Sequence, residues 1–132
     1  MSAFTNDGEN LLINWIFNTS AVTRPTAWYV GLHTGDPGET GASNEVLVAA
    51  DADYVRQAVT MGAASGGASA STTQVVFTPA VAAGTYTVTH ASIWTASTAG
   101  TCLIKGALAS SRAISNASPL TFEIGEIIAA VD

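Results

Sequence analysis

Residues 28–59 limit what this chain can fold into more than any other stretch. The run Ala27-Trp28-Tyr29-Val30-Gly31-Leu32-His33 is aromatic and β-branched, the composition of a half-buried strand. Gly35, Asp36, Pro37, Gly38, Gly41 and Asn44 follow, a dense cluster of turn formers. Within it Asp36-Pro37-Gly38 reads as a turn: Asp accepts backbone hydrogen bonds, Pro presets φ, and Gly takes a positive φ. Tyr54-Val55-Arg56-Gln57-Ala58-Val59 then alternates again with the period of a strand. This pattern predicts two core strands, with residues 34–53 projecting between them as a loop.

The rest of the chain repeats the pattern. Apolar runs at 74–77, 86–94, 102–105, 108–114, 120–124 and 127–131 are separated by Pro79, a bend over 82–84, Gly100, Pro119 and Gly125. Residues 86–94 form the longest expected strand. Its faces would be Val88, His90, Ser92, Trp94 and Thr87, Thr89, Ala91, Ile93, neither purely polar, which suits a strand between two layers. Residues 62–72 are small and glycine-rich, a hairpin connection or bulged bend, and residues 47–50 are a short strand or turn. Residues 6–18 predict the single helix: Asn6 is the expected cap, with Glu9 at capping-box spacing. Leu11, Leu12, Trp15 and Ile16 recur at helical intervals, and Ile13 and Phe17 widen the apolar surface. Such a helix should be well covered, as a lid on the β core. Residues 21–26, with Pro25, read as a linker. The expected fold is mostly β, an antiparallel β-sandwich of about seven or eight strands with one N-terminal α-helix, a single domain over residues 1–132.

Charge narrows the function classes. Only 11% of residues are charged, against roughly 25% in an average soluble domain. Ser, Thr, Gly and Ala must therefore cover much of the surface, and such a surface loses water to a neighbour at low cost. That favours a chain whose flanks pack against other subunits, with a soluble monomer carrying a Thr/Ser-rich β surface as the alternative. The net charge is −6, and Arg24, Arg56, Lys105 and Arg112 stand apart, so binding to nucleic acid or an anionic membrane is not expected. Cys102, the one cysteine, sits in an apolar run and reads as an inert core thiol. No secretory leader and no membrane-length apolar run is expected from the sequence.

Little here carries chemistry. His33 and His90 lie in strand-like runs without a neighbouring carboxylate, nucleophile elbow or zincin spacing, so the expectation is no enzyme. Asp36, Glu39, Glu45, Asp51 and Asp53 share one region, but their spacing is not that of an EF-hand loop. Solvated turn acids explain them, and no metal or other cofactor is expected. Arg56 is more informative. A lone guanidinium in an apolar strand either faces solvent on an edge or meets a carboxylate, and Glu45 is the preferred partner. Trp28, Trp94 and Tyr54 could serve as sugar-stacking platforms, although core positions suit them better. Glu45, Arg56, Asp36, Trp28 and Trp94 are the candidate interaction residues.

Trp28-Tyr29-Val30-Gly31-Leu32-His33-Thr34 with Asp36-Pro37-Gly38, Gly41-Ala42-Ser43-Asn44-Glu45-Val46, and Tyr54-Val55-Arg56-Gln57-Ala58-Val59 together resemble a family of small bacteriophage virion proteins, often labelled tail-fibre proteins. Thr89-His90-Ala91-Ser92-Ile93-Trp94 and Gly106-Ala107-Leu108 look like that family too. The resemblance implies a structural virion protein, assembled in the host cytoplasm. It would bind copies of itself and other virion proteins, namely the major capsid protein or tail proteins, through residues 34–53 and 62–71. The expected role is capsid cement or decoration on the particle exterior. A tail-fibre or tail-associated protein is the alternative, and a carbohydrate-binding module for host attachment is a further one.

Overall fold

The computed structural model describes residues 3–81 and 85–131; the bend expected over 82–84 lies outside the described residues. Among these, nine strands and one helix follow in the order β1 (Ala3–Phe4), α1 (Asn6–Phe17), β2 (Trp28–His33), β3 (Gln57–Val59), β4 (Ala68–Ala70), β5 (Val75–Phe77), β6 (Tyr86–Trp94), β7 (Cys102–Ile114), β8 (Leu120–Phe122) and β9 (Ile128–Ala130). The fold is mostly β and antiparallel, as expected. One five-stranded sheet runs in the order β1-β7-β6-β2-β3, and β4-β9 and β5-β8 form two two-stranded sheets. No helix among the described residues is long and apolar enough to cross a membrane.

The five-stranded sheet has two differently covered faces. Val30 and Leu32 of β2, Ala91 and Ile93 of β6, and Ile104 and Ile114 of β7 point to one side and are buried. Val75 and Phe77 of β5 and Leu120 and Phe122 of β8 close over them in one apolar cluster, as in a sandwich. Phe77 meets Phe122 edge-on at 6.4 Å and stacks on Tyr54 at 6.3 Å. Gly31, His33, Ser92, Trp94 and Cys102 alternate with these residues, and they are buried too. A period-2 pattern that is buried on both faces marks a strand between two layers.

A bulge corrects the expected faces of β6. Register shifts between Val88 and His90, so Val88 joins Ala91 and Ile93 in the core instead of following His90, Ser92 and Trp94. A bulge shifts the alternation by one residue. The longest strand is β7, not β6, because the two runs expected at 102–105 and 108–114 are continuous. Residues 48–50 are a turn, and 62–72 a hairpin closed at Gly66 and Gly67, both with positive φ.

The residues at 34–53 do not simply project. After β2, Thr34 N–H bonds Asn44 O at 2.9 Å and Val46 N–H bonds Leu32 O at 3.0 Å. The chain thus folds back along the end of β2, with Gly41 against Cys102 and Trp94 on the second face and Val46 in the apolar cluster of the first. Pro37, Gly41, Val46 and Asp51 are buried, while Leu47 and Val48 stay exposed. Gly41 has φ +73°, and a Cβ there would lie 2.3 Å from Cys102 Cβ. Only glycine permits both the backbone conformation and the approach. Asp51 holds the far end: its carboxylate accepts from Tyr86 Oη at 2.8 Å and from the Ala80 N–H at 2.9 Å.

The helix is the second correction. Its cap is Thr5, not Asn6. Thr5 is fully buried; its Oγ1 accepts from Gly8 N–H at 3.2 Å and donates to Cys102 O at 2.6 Å. Thr5 N–H also bonds Leu103 O at 3.1 Å. Gly8 lies so close to β7 that a Cβ would fall 2.0 Å from Leu103 O. The helix is therefore seated by its first turn. Leu11 and Leu12 are half-buried, and beyond them the helix is uncovered: Ile13, Trp15, Ile16 and Phe17 are 56%, 60%, 60% and 76% exposed.

Alanine is favoured over glycine inside a helix by about 1 kcal/mol, so a free helix would gain from Gly8→Ala. Here the substitution is expected to lower the melting temperature followed by circular dichroism. An unchanged or raised value would show that the helix does not rest on Leu103.

Candidate functional site

Three of the candidate residues, Glu45, Arg56 and Trp94, converge where the folded-back loop meets the second face of the large sheet. Arg56 immediately precedes β3, and its expected strand begins only at Gln57. Its guanidinium grips Glu45 with two bonds, Nε to Oε1 at 2.7 Å and Nη2 to Oε2 at 2.8 Å. Nη1 donates to Ala96 O at 3.2 Å and Ala99 O at 2.6 Å, carbonyls of the turn between β6 and β7. The planar group also lies 3.5 Å from the centroid of the Trp94 ring. This arrangement uses what Arg has and Lys lacks: a flat fork that pairs a carboxylate twice and stacks on an aromatic face. The expected Glu45–Arg56 pair is present and largely buried, with side chains 18% and 9% exposed.

Glu45 is saturated. Tyr54 Oη donates to its Oε1 at 2.9 Å and accepts the Leu32 N–H at 3.0 Å. Burial alone would raise the Glu45 carboxyl. The bonds from Arg56 and Tyr54, with the Arg56 charge, outweigh it and hold the group below the usual carboxylate range. Burial likewise pushes the Tyr54 phenol up, so it remains a donor.

His33 lies beside this pair and is fully buried. Its Nδ1 is 2.9 Å from Ser43 O, which can only accept, so Nδ1 carries the proton. Nε2, 2.7 Å from Ser92 Oγ, accepts from that hydroxyl, and the same Oγ accepts Trp94 Nε1–H at 2.7 Å. The chain Trp94 to Ser92 to His33 to Ser43 is thus fully directed, with a neutral imidazole. Burial holds His33 below its ordinary value, against the Ser43 bond and the nearby Glu45 charge. His90 pairs opposite His33 across the strands, but both His33 nitrogens already have protein partners. Gly31 makes room for this layer: a Cβ there would meet Ser92 Oγ at 2.9 Å.

Asp36 and Trp28 lie apart from the cluster, whereas Trp94 belongs to it. Asp36 is exposed; its Oδ1 takes the Gly38 N–H at 2.8 Å and Lys105 Nζ at 3.1 Å. Those two bonds, the Gly38 one foremost, hold its carboxyl low. Glu39 also meets Lys105 at 3.1 Å. Trp28 is half-buried in β2 and lines a small apolar cavity of about 150 Å³ with Phe4, Met61 and Leu103. Trp94 is only 6% exposed and lies against Arg56, so it offers no face to a sugar. Burial pushes the Cys102 thiol up to about 12, which keeps it protonated and unreactive.

Sequence reasoning did not anticipate the roles of Ser92, Gly41 or Thr5, and Asp51, expected as a solvated turn acid, is instead buried at 3% exposure on Tyr86 and the Ala80 N–H. Ser92 was the one with a readable signal: a small hydroxyl two residues before Trp94 in a strand buried on both faces needs a partner.

What this site does chemically is fasten three segments together. Glu45→Gln removes the charge that Arg56 is folded around, and a cost of about 2–3 kcal/mol is expected. That loss should appear as a lower melting temperature, with Asp36→Asn unchanged beside it. Equal melting temperatures for the two variants would refute the fastening role. Acid should act earlier, through His33. In the unfolded chain its imidazole takes a proton below about pH 6.5, whereas the folded, buried one resists it. The unfolded state then binds more protons, so this contribution is complete above pH 6.5 and is lost as pH falls through the lower folded value. Thermal unfolding between pH 7.5 and 5.5 is expected to show the decline, and His33→Gln to flatten it.

No curated protein sequence matches the chain. A family model described as podophage GP4 fiber I protein gp80 matches residues 3–130. The match takes in the helix, the folded-back loop and the Glu45–Arg56–Trp94 cluster. The chain therefore belongs to the podophage GP4 fiber I protein family, as a small phage virion protein.

Proposed function

We propose that the protein is a non-enzymatic structural component of the particle exterior, a fibre subunit that binds copies of itself and other virion proteins. The family match over residues 3–130 carries this reading. The buried polar groups support it. Glu45, His33, Ser92 and Asp51 spend their bonding capacity on the protein's own backbone and side chains. Among the described residues no buried side-chain nitrogen or oxygen lacks a partner. Catalysis needs a group left free to reach a substrate, and this cluster spends its groups on shape. The major capsid protein and the tail proteins are the candidate partners.

Capsid cement or decoration is the second reading, and the low-ion exterior favours it. With 11% charged residues, many broad neutral contacts can form without stripping ions of water.

Density for intact particles tests both, together with mass spectrometry of purified particles. The chain is expected among the virion proteins, with its body on the outer surface. Density at the tail identifies the fibre subunit and density over capsid subunits the cement protein. Absence of the chain from purified particles would overturn the proposal.

A further inference from the structure

The helix carries an apolar face that the fold does not use. Gly8, Leu11, Leu12 and Trp15 share the side that turns toward the body. Burial fades along it: Gly8 is buried, Leu11 and Leu12 are half-buried, and Trp15 is 60% exposed. The helix thus overhangs the sheet after its first two turns. Ile13, Ile16 and Phe17 extend the apolar surface around its free half. At their exposures these four side chains leave on the order of 500 Å² of apolar surface in water, near the upper limit for a monomer. Beside them runs an open groove of about 510 Å³, lined by Phe4, Leu12, Ile13, Ala130 and Val131 with Glu9 as its one charged residue.

We infer that this face is the contact between copies of the chain, the free half of one helix lying across the groove and helix of another. The inference rests on the structural-protein reading and names its partner. Self-complementarity favours a second copy: Ile16 projects from the same side of the helix as Leu12 and Ile13, which line the groove, so protruding and receiving parts lie on one surface, as a two-fold contact requires. Charge agrees. No ionisable side chain occurs from Asn10 to Thr23, so the segment that enters the groove brings no like charge against Glu9 there. In an antiparallel pair centred on residues 13–17, Asp7 and Glu9 of the two copies lie at opposite ends. Two such faces together approach the roughly 1,000 Å² of a specific interface.

Light scattering on the full-length chain after size exclusion tests this. The wild type is expected at a multiple of 13.4 kDa. The double variant Ile16→Glu, Phe17→Glu is expected at the monomer mass, with its circular dichroism unchanged because both side chains are exposed. A monomeric wild type at micromolar concentrations, or a folded variant of wild-type mass, overturns the inference. If the variant does not fold, wild-type fluorescence decides. Trp15 emission should move to the red on dilution, and Trp15→Phe should abolish that shift. Emission independent of concentration overturns the contact. A monomeric wild type that needs Ile16 and Phe17 to enter particles assigns the face to another virion protein. A monomeric wild type that sediments with phosphatidylcholine vesicles assigns it to lipid. Either result ends the self-contact inference. A chain that self-associates through the helix but is missing from particles leaves the contact standing and removes the virion role.

Discussion

Arg56 depends on three parts of the chain at once, and they depend on it. Its fork takes both oxygens of Glu45, its far nitrogen takes the carbonyls of Ala96 and Ala99, and its flat face covers Trp94. A guanidinium this buried is tolerable only when each part of that set is in place. The folded-back loop, the approach to β3 and the turn between β6 and β7 therefore have one joint arrangement. None of these segments has much regular secondary structure of its own. Their order comes from sharing one cation.

That shared cation explains why the large sheet can be covered in two different ways. On the side of Val30, Leu32, Ile93 and Ile104, apolar side chains from β5 and β8 interlock, and the gain is loss of contact with water. Any well-sized side chains would serve in part. On the side of His33, Ser92 and Trp94, a loop covers the strands, and a loop brings polar backbone with it. Burial there is tolerable only if each donor meets an acceptor. The directed chain from Trp94 through Ser92 and His33 to Ser43, with Tyr54 bridging Leu32 and Glu45, meets that requirement. Glycine at 31 and 41 brings the layers close enough for these bonds.

How much of this was legible depends on range. β2 and β6 show in the sequence because β-branched and aromatic runs between turn residues are local signals. The Glu45–Arg56 pair was legible as one of two readings, since a guanidinium among apolar residues either faces solvent on an edge or meets an acceptor, and Glu45 was near. Trp94 beneath it was not, because that contact joins residues 38 apart by sequence number through sheet pairing. The bulge at Val88 left no trace in composition, and alternation through it gave the wrong faces. The projecting loop was misjudged because turn formers reveal where a chain bends and not what it bends onto. The covered helix was misjudged for a related reason. Apolar spacing shows which side chains share a face but not whether another element covers that face, and among the described residues nothing covers Ile13, Trp15, Ile16 and Phe17.

The ion inventory connects the interior to the exterior. Lysine and arginine together number four. Arg56 is committed to Glu45, Lys105 to Asp36 and Glu39, and Arg112 to Glu126. Arg112 also lies 4.9 Å from the Phe122 ring and donates to Thr121 O at 2.8 Å. The cations are thus largely spent holding loops to sheets. The outer surface is left with scattered acids and many neutral side chains, and it attracts neighbours weakly at long range. Cohesion with a neighbour must come at contact distance, from apolar area and matched hydrogen bonds. In the proposed structural role such contacts discriminate by shape, since few ions are free to pair with a partner. A rigid body with saturated polar groups suits that requirement, since a surface held in one shape loses little entropy when it meets its match.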